Sequence, residues 1–431
     1  MAILQFGLLL GSFLCFLGIG VPVFFAMGLA SLVFILFQGG SVPLNVLASS
    51  LVQGIDSFSF LAIPFFFLAG DLMNTGGITR RLLAFSSALV GHVRGGLSHV
   101  AIVASMIFSG VSGSAVADAS AIGSVMIPAM KAGRYPPAYA AAVVASAATM
   151  GPIIPPSIAF VVYALLAEVS VGRLFLAGVL PGLLMGAYLM LAAWLIARRR
   201  GFAHSPRASF ATVRTTFAGA SLALVMPLII MGGIVFGVVT PTEAGVVAVV
   251  YGLVVGVLVF RDLKPRDLFR ICTDSMINAC TILMMIAAAG TFSWLVANMN
   301  LGAMLVRFFT GLTASRWVML LIINVFFLVW GLALDIVVGM VVMVPLLVPV
   351  ANAYGIDLVQ FGVIVTLNLL IGELTPPSGV VLFISSGIAG ARLEDVFREA
   401  APFAVALVAV LALVTYVPPL TLWLPDLLMG R

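Results

Sequence analysis

Two aspartates, Asp118 and Asp335, lie within long apolar stretches of the sequence. An ionisable side chain at membrane depth costs about 2.5–3.5 kcal/mol on insertion scales, so each needs a partner or a function. Asp118 follows a small, polar segment at 112–114 (Ser-Gly-Ser), and Asp335 follows a Trp-Gly pair at 330–331. Two interpretations stay open: the aspartates bind a substrate or a cation, or they cap two half-helices.

A template Gly-x-x-x-Pro-Pro-Ser occurs twice in apolar sequence, at residues 151–157 and 372–378. Adjacent prolines remove two backbone donors and break a helix, which is tolerated at membrane depth only beside protein or a water-filled cavity. Two such breaks predict a site formed by discontinuous helices. At such a site, half-helix N-termini attract an anion, and carbonyl and hydroxyl oxygens bind sodium.

Other polar side chains near these breaks have two explanations. The hydroxyl groups of Ser157, Thr375 and Ser378 either bond a carbonyl freed at the kink or take part in the site. We interpret Glu373 as a group at an aqueous vestibule rather than as a proton-linked carboxylate. We interpret four further polar residues near span ends as interfacial: Asp71, Asn74, Asp274 and Asn278.

Ser112 raises a separate hypothesis, because residues 110–113 match the G-x-S-G pattern of intramembrane serine proteases. Such enzymes pair the serine with a histidine on another span, within about 3 Å. His92 and His99 precede the same segment, and His204 lies in an arginine-rich connection. No histidine is therefore expected at the depth of the serine, and a protease remains a remote alternative.

The composition is that of a polytopic membrane protein. Of 431 residues, 63% are hydrophobic and 8% are charged, whereas soluble domains have about a quarter charged residues. Continuous apolar runs predict helices rather than the alternating strands of a barrel, so we predict an all-α fold. Neither lysine lies in a phosphate-binding loop, and the net charge of +5 lies in connections, so we expect neither ATP hydrolysis nor nucleic-acid binding.

The apolar runs predict ten membrane crossings and two re-entrant hairpins. Residues 3–37 exceed one bilayer thickness, so we divide them near 18–22. Further crossings are expected at 44–72, 135–168, 174–197, 218–238, 242–259, 273–298, 355–389 and 400–424, with hairpins at about 95–130 and 317–350. The crossings 135–168 and 355–389 contain the Pro-Pro breaks.

The two halves of the chain align with each other. Five landmark pairs are separated by 217 to 221 residues: Pro22 and Pro241, Gly70 and Gly290, Asp118 and Asp335, Pro128 and Pro345, Gly151 and Gly372. A nearly constant offset predicts an internal repeat. We therefore divide the chain into a first repeat at 1–200, a cytoplasmic linker at 201–216 and a second repeat at 217–431.

Basic residues predict the orientation of the repeats. The segment 198–214 has five arginines and no acidic residue, which places it in the cytoplasm. Counting crossings from this segment also places Arg80, Arg81 and Arg94 on the cytoplasmic side. Each half has five crossings, an odd number, so the repeats are expected to be inverted, with both termini outside.

Three segments resemble a known family: 110–123 (GVSGSAVADASAIG), 154–157 (IPPS) and 368–379 (NLLIGELTPPSG). They are similar to the DctM-type large membrane subunit of tripartite ATP-independent periplasmic (TRAP) transporters, in the ion transporter superfamily. The resemblance covers essentially the whole chain. It implies an elevator-type fold, with scaffold and transport domains, in the bacterial inner membrane. It also implies sodium-coupled import of an organic anion, such as a dicarboxylate or a sugar acid.

The resemblance further implies partners and ions. The partners are a small four-helix membrane subunit and a periplasmic binding protein that delivers the substrate. We expect two or more sodium ions, no organic cofactor and no enzymatic activity. The alternative within transport is a stand-alone sodium- or proton-coupled anion transporter of the same superfamily.

Site residues follow from the resemblance position by position. One sodium site would involve Ser112, Gly113, Ser114, Gly151 and Pro155, and the other Gly331, Gly372, Thr375 and Pro377, largely through carbonyl oxygens. Substrate is expected near Ser114, Asp118 and Ser157. Asp335 and Ser378 are further candidate site residues because of their sequence context, and the resemblance assigns them no role. The second hairpin tip lacks a Ser-Gly-Ser segment, so we expect substrate at the first break and an ion alone at the second.

Overall fold

The chain folds into helices throughout the residues that its structure describes. This structure is a computed structural model that describes residues 2–38, 42–202, 206–376 and 379–430. Over those ranges it contains twenty α-helices and no β-strand. A 3₁₀ turn at Phe58–Leu61 precedes one of these helices, and a π-helical end at Val254–Val259 extends another. The predicted all-α membrane fold is confirmed.

The helices follow one another with short connections. The first ten are α1 (Ala2–Gly18), α2 (Val23–Phe37), α3 (Asn45–Gln53), α4 (Ala62–Thr75), α5 (Ile78–Val90), α6 (Gly96–Ser112), α7 (Ala115–Ala132), α8 (Pro137–Ala148), α9 (Ile158–Leu166) and α10 (Val171–Arg200). The other ten are α11 (Phe210–Val235), α12 (Pro241–Leu253), α13 (Pro265–Asn298), α14 (Leu301–Leu312), α15 (Arg316–Gly331), α16 (Ile336–Ala353), α17 (Leu358–Gly372), α18 (Val380–Ala389), α19 (Leu393–Tyr416) and α20 (Pro419–Met429).

Seven helices in the described ranges are long and apolar enough to cross a bilayer alone. They are α4 with its 3₁₀ turn, α10, α11, α12 with its π-helical end, α13, α16 and α19. The other predicted crossings correspond to shorter helices, and two of them to helix pairs, α8 with α9 and α17 with α18. The arrangement of ten crossings in two inverted repeats therefore stays a prediction.

Both segments expected to form hairpins fold as helix pairs with a short connection. In the first pair, Gly113 ends α6 in the left-handed conformation (φ 63°), and Ser114 caps α7 in extended conformation. In the second pair, residues 332–335 connect α15 to α16, and α15 is bent by 117° from α14. We refer to residues 112–114 as tip 1 and to residues 331–335 as tip 2.

Both Pro-Pro templates interrupt a helix. Residues 149–157, which we call break 1, separate α8 from α9, and residues 373–379, break 2, separate α17 from α18. The helices before the breaks are the most buried of the molecule: every residue from Tyr139 to Ala148 in α8 and from Val359 to Gly372 in α17 is buried. A helix that is apolar on all sides lies in a protein interior, so the breaks are held at the centre of the fold.

Surrounding helices complete this centre. The helix α8 packs against α6, α7, α18 and α19, and α17 packs against α10, α15, α16 and α19. A second group lies to one side, where α4 packs against α12 and α13, and α13 also contacts α2 and α3. The contact between α4 and α6 joins this group to the first hairpin.

Three short helices differ from the sequence prediction. The helices α5 and α14 are amphipathic, with exposed Arg80 beside buried Leu82 in α5, so a search for continuous apolar runs does not find them. The predicted crossing at 400–424 corresponds to α19, but its bounds differ, because Pro418 and Pro419 follow the end of α19 and start the separate helix α20. The predicted linker at 201–216 is too long, because α11 already begins at Phe210.

Candidate functional site

Hydroxyl groups and one carboxylate organise tip 1. Ser109 donates a hydrogen bond of 2.7 Å to Oδ2 of Asp118, and Ser112 donates to Oδ1 of the same carboxylate. Asp118 is fully buried. The N-cap of α7 is Ser114, whose Oγ accepts the amide of Ala117 at 3.4 Å. The capping interpretation therefore applies to Ser114, and Asp118 holds the two helices of the hairpin together.

The hydroxyl of Ser157 forms hydrogen bonds with the nearby backbone at break 1. Its hydroxyl donates to the carbonyl oxygen of Pro152 at 2.6 Å and accepts the amide of Phe160 at 3.1 Å, which caps α9. The side chain is 1% exposed. This geometry agrees with the first explanation for Ser157, in which its hydroxyl bonds a carbonyl freed at the kink.

Tip 1 lies directly against the backbone of break 1. A β-carbon on Gly113 would lie 2.7 Å from the carbonyl oxygen of Pro156. One on Gly151 would lie 2.9 Å from the carbonyl carbon of Ser114. Side chains do not fit at such distances, so glycine allows the two chain segments to approach. Pro155 is buried in the same break. The structure thus brings the residues predicted for the first sodium site together.

Tip 2 lies against break 2 in a similar way. A β-carbon on Gly372 would lie 2.4 Å from the carbonyl carbon of Gly331. The hydroxyl of Thr375 donates to the carbonyl oxygen of Ile371 at 3.2 Å, as expected for a threonine near a kink. Pro377 and Ser378 lie outside the described residues, so their predicted roles have no structural counterpart here.

Two carboxyl groups meet where tip 2 contacts break 2. Asp335 caps α16, with Oδ1 accepting the amide of Val337 at 3.0 Å, and its side chain is exposed. Glu373 is 1% exposed, and its Oε1 accepts the amide of Ile336 at 3.3 Å. Its carboxyl group also interacts with the carboxyl group of Asp335. Glu373 therefore joins break 2 to tip 2.

Both tips and both breaks border one cavity of about 510 Å³, which we call the central cavity. Its wall includes Ser112, Gly113 and Ser114 from tip 1, Pro152 from break 1, Asp335 from tip 2 and Glu373 from break 2. The opposite wall is formed by α4 and α13, with Asp71, Asn74, Asn278 and Thr281. The cavity thus lies between the hairpin helices and the second helix group.

The predicted site residues divide into two sets around this cavity. Ser112, Gly113, Ser114 and Asp335 border it directly. The others lie behind the wall, at the contacts between tips and breaks: Asp118, Gly151, Pro155, Ser157, Gly331, Gly372 and Thr375. Ser114 is therefore the substrate candidate with direct access to the cavity, and the functional roles of all these residues stay predictions.

Sequence reasoning missed the polar residues of the opposite wall. Asp71, Asn74 and Asn278 border the central cavity, so the interfacial interpretation of these three is wrong. Asp71 also accepts a hydrogen bond of 2.5 Å from Ser275 of α13. A signal was present, because residues three or four apart share one face of a helix, as Asp71 and Asn74 do. Nothing in the sequence shows, however, which tertiary neighbour that face meets.

The central cavity has an acidic wall. Asp71, Asp335 and Glu373 border it, and no lysine, arginine or histidine does so among the described residues. Like charges repel more strongly in a protein interior than in water. The wall therefore favours cations, and an anionic ligand needs compensating positive charge to enter.

The geometry around Ser112 gives no support to proteolysis. Its hydroxyl donates to Asp118 rather than to a histidine. His99 lies thirteen residues earlier on the same helix, about 20 Å away at 1.5 Å per residue. The described residues therefore hold no Ser112–histidine dyad.

Comparison with known proteins identifies the family. Residues 10–420 match the family described as "Tripartite ATP-independent periplasmic transporter, DctM component". The chain belongs to the DctM family of TRAP transporter large permeases. It is accordingly a multi-span permease of the bacterial inner membrane and not an enzyme.

The sequence similarity to individual relatives extends along almost the whole of this DctM chain. It is 39% identical to the sialic acid TRAP transporter large permease protein SiaM of Vibrio cholerae, covering 98% of this chain and 99% of that protein. It is 36% identical to the C4-dicarboxylate TRAP transporter large permease protein DctM of Rhodobacter capsulatus, covering 99% of both. It is also 36% identical to the sialic acid TRAP transporter permease protein SiaT of Haemophilus influenzae, covering 95% of this chain and 66% of that longer protein.

A solved structure shares the fold of this DctM chain. The YdaH transporter of Alcanivorax borkumensis superposes with a TM-score of 0.63, covering 93% of this chain and 99% of that one. The sequences are 17% identical. The likeness therefore extends the membrane-transporter architecture to a more distant protein.

Proposed function

We propose that this permease imports an organic anion by sodium-coupled secondary active transport. The observation that supports the proposal most is the central cavity, which both tips and both breaks border at once. Discontinuous helices that meet at one cavity are the usual way in which secondary transporters bind a solute and its coupling ion. The cavity volume of about 510 Å³ suits a small organic molecule.

The proposed substrate class is a carboxylate, such as a sugar acid or a dicarboxylate. The names of the relatives refer to sialic acid and to C4-dicarboxylates, and both kinds of molecule carry carboxylate groups. We assign Ser114 to direct contact, because its hydroxyl lies on the cavity wall at the N-terminus of α7. The positive end of that helix favours an anion. Asp118 and Ser157 would position this contact from behind the wall.

Sodium ions are proposed at both contacts between tip and break. The backbone of Gly113 lies close to that of break 1, and the backbone of Gly372 lies close to that of tip 2. Carbonyl oxygens are therefore concentrated at both contacts. Hard monovalent cations are bound by such oxygens in broken-helix transporters. The acidic wall adds a reason for coupling, since bound sodium would neutralise Asp335 and Glu373 before an anion enters.

We propose two protein partners, a small membrane subunit and a periplasmic binding protein. This chain covers 66% of the relative SiaT, whose remaining third leaves room for a fused small subunit. The family description itself names a tripartite, periplasmic transporter. In this proposal the permease moves as an elevator: the helices around α8 and α17 form the transport domain, and the group around α4, α12 and α13 forms the scaffold.

The proposal is tested by reconstitution. The permease is placed in proteoliposomes with its small subunit, and uptake of radiolabelled N-acetylneuraminate and succinate is measured with and without the cognate binding protein. We expect uptake that needs an inward sodium gradient, is not supported by potassium and requires the binding protein.

Three other results have defined meanings. Robust uptake by the permease alone would replace the tripartite proposal with the stand-alone anion transporter. Uptake that follows a proton gradient without sodium would contradict sodium coupling. Labelling of Ser112 by a serine-reactive phosphonate would reopen the protease hypothesis.

A further inference from the structure

A second cavity continues from the central cavity. Its volume is about 820 Å³, and Asn74 and Ser120 border both cavities. The remaining wall comes from α5, from the middle of α7 near Ser124 and from Asp262, which follows the π-helical end of α12. We call it the exit cavity, because its basic residues Arg80 and Arg81 place it on the predicted cytoplasmic side.

The two arginines of the exit cavity are in different states. Arg81 is fully engaged: one Nη atom lies 2.8 Å from Oδ2 of Asp262 and 2.9 Å from the carbonyl oxygen of Gly77. Its guanidinium also stacks on Phe260, 3.7 Å from the ring centre. Arg81 thus ties α5 to the connection after α12, and Asp262 neutralises its charge.

Arg80, by contrast, borders the exit cavity with an exposed side chain. Within the described part of the chain, no carboxylate or carbonyl oxygen pairs with its guanidinium. Since Asp262 is paired with Arg81, the exit cavity carries one uncompensated positive charge. The wall also offers the side chains of Thr75, Ser120 and Ser124.

We propose that Arg80 forms a low-affinity binding site for the transported carboxylate in the exit cavity. The inference rests on the proposed function. A guanidinium presents paired N–H donors that match the two oxygens of a carboxylate, and the nearby hydroxyls suit a hydroxylated or second carboxylate group. Once sodium leaves the central cavity, its acidic wall repels the anion, and Arg80 attracts it toward the cytoplasm. Exposure keeps the affinity low, so the anion is released.

Counterflow in proteoliposomes tests this site. Vesicles that contain the permease and its small subunit are loaded with unlabelled N-acetylneuraminate or succinate, whichever the wild type transports. The luminal concentration that half-saturates counterflow is then measured for protein oriented with its cytoplasmic side toward the lumen. The external half-saturation concentration, with the binding protein present, is measured in parallel.

For Arg80→Gln we expect the luminal half-saturation concentration to rise about two- to fivefold, which is the range of one exposed charge pair. The external value should stay unchanged. Arg80→Lys should recover most of the loss, since it restores the charge without the fork of donors. The matched control is Arg199→Gln, which removes an exposed charge near the cytoplasmic end of α10, outside both cavities.

Three outcomes would overturn the exit site. Arg80→Gln with a wild-type luminal value would show that the arginine does not bind substrate. An equal effect of Arg199→Gln would show a general surface-charge effect instead of a site. A rise of the external half-saturation concentration alone would show that Arg80 acts when substrate is delivered from outside rather than when it is released into the cytoplasm. Failure of the wild type to transport any carboxylate would instead refute the proposed function itself.

Discussion

Asp118 does not border the central cavity, but it accepts a hydrogen bond from Ser112, which does. Its carboxylate is buried behind the wall, yet it accepts a hydrogen bond from Ser112, which borders the cavity, and from Ser109. A buried carboxylate needs such donors, because an unpaired charge in the interior is very costly. The residue therefore links the two helices of the first hairpin and positions tip 1.

We predict that Asp118→Ala lowers the initial uptake rate at least about tenfold while the protein remains folded in the membrane. Hydrogen bonds to charged groups contribute about 1.5–3 kcal/mol, and 1.4 kcal/mol corresponds to a factor of ten. Uptake is measured at equal reconstituted protein, with size-exclusion profiles to verify folding. The control is Asp395→Ala, which removes a partly exposed aspartate that pairs with Arg392 at the start of α19. Normal transport by Asp118→Ala would contradict the assignment of tip 1 to the site.

At the scale of helices, glycine contacts fix how each hairpin meets its broken helix. Gly113 and Gly151 allow tip 1 to approach break 1, and Gly331 and Gly372 do the same for tip 2 and break 2. A protein interior is packed as densely as a crystal, so an added methyl group at these contacts must displace backbone. The two contacts are thus sensitive to side-chain size.

We predict that Gly372→Ala destabilises the protein by about 1–3 kcal/mol, the usual cost of overpacking. Its β-carbon would lie 2.4 Å from the carbonyl carbon of Gly331. Gly387→Ala in α18 is the matched control, because nothing lies within 4 Å of its β-carbon. Alanine in that helix interior should be neutral or stabilising. Melting temperatures in detergent, with and without sodium chloride, provide the measurement. Equal melting of both variants would refute the close contact.

The hairpins and breaks were predictable because local sequence determines them. Paired prolines and small, polar segments interrupt a helix wherever they occur in apolar sequence, and the template at 151–157 lies within the observed break. The end of α19 and the start of α11 differ from the prediction, because continuous apolar runs do not detect the prolines after Tyr416 or the cap at Ser209.

Only the tip and break side of the central cavity could be predicted from the sequence, and the side formed by α4 and α13 could not. Asp71 and Asn278 reach it through the packing of α4 and α13, which lie about 200 residues apart in the chain. Likewise, the bond from Glu373 to the amide of Ile336 depends on contact between two separate helices. Helical periodicity identifies such a polar face, but it does not identify the helix that faces it.

For the whole molecule, the proposed coupling makes transport sensitive to membrane potential. Two sodium ions that accompany one monovalent carboxylate move one net positive charge inward. Movement of one charge through 100 mV is worth about 2.3 kcal/mol, or a factor of about 50 in accumulation.

We predict that an inside-negative potassium diffusion potential, imposed with valinomycin, raises steady-state uptake of N-acetylneuraminate by about tenfold or more per 100 mV. Reversing the potassium gradient should lower uptake by a similar factor. A divalent substrate such as succinate, carried with two sodium ions, should respond much less. Uptake that is equal at all imposed potentials for both substrates would contradict the proposed charge balance.

The acidic wall of the central cavity has a consequence for energy conservation in the cell. In the proposed mechanism, the carboxyl groups of Asp71, Asp335 and Glu373 make the sodium-free cavity unfavourable for an anion. Substrate that re-enters from the cytoplasm would then stay bound only together with the ions. If the external sodium supply collapsed, the same carboxyl groups would hinder leakage of the accumulated substrate.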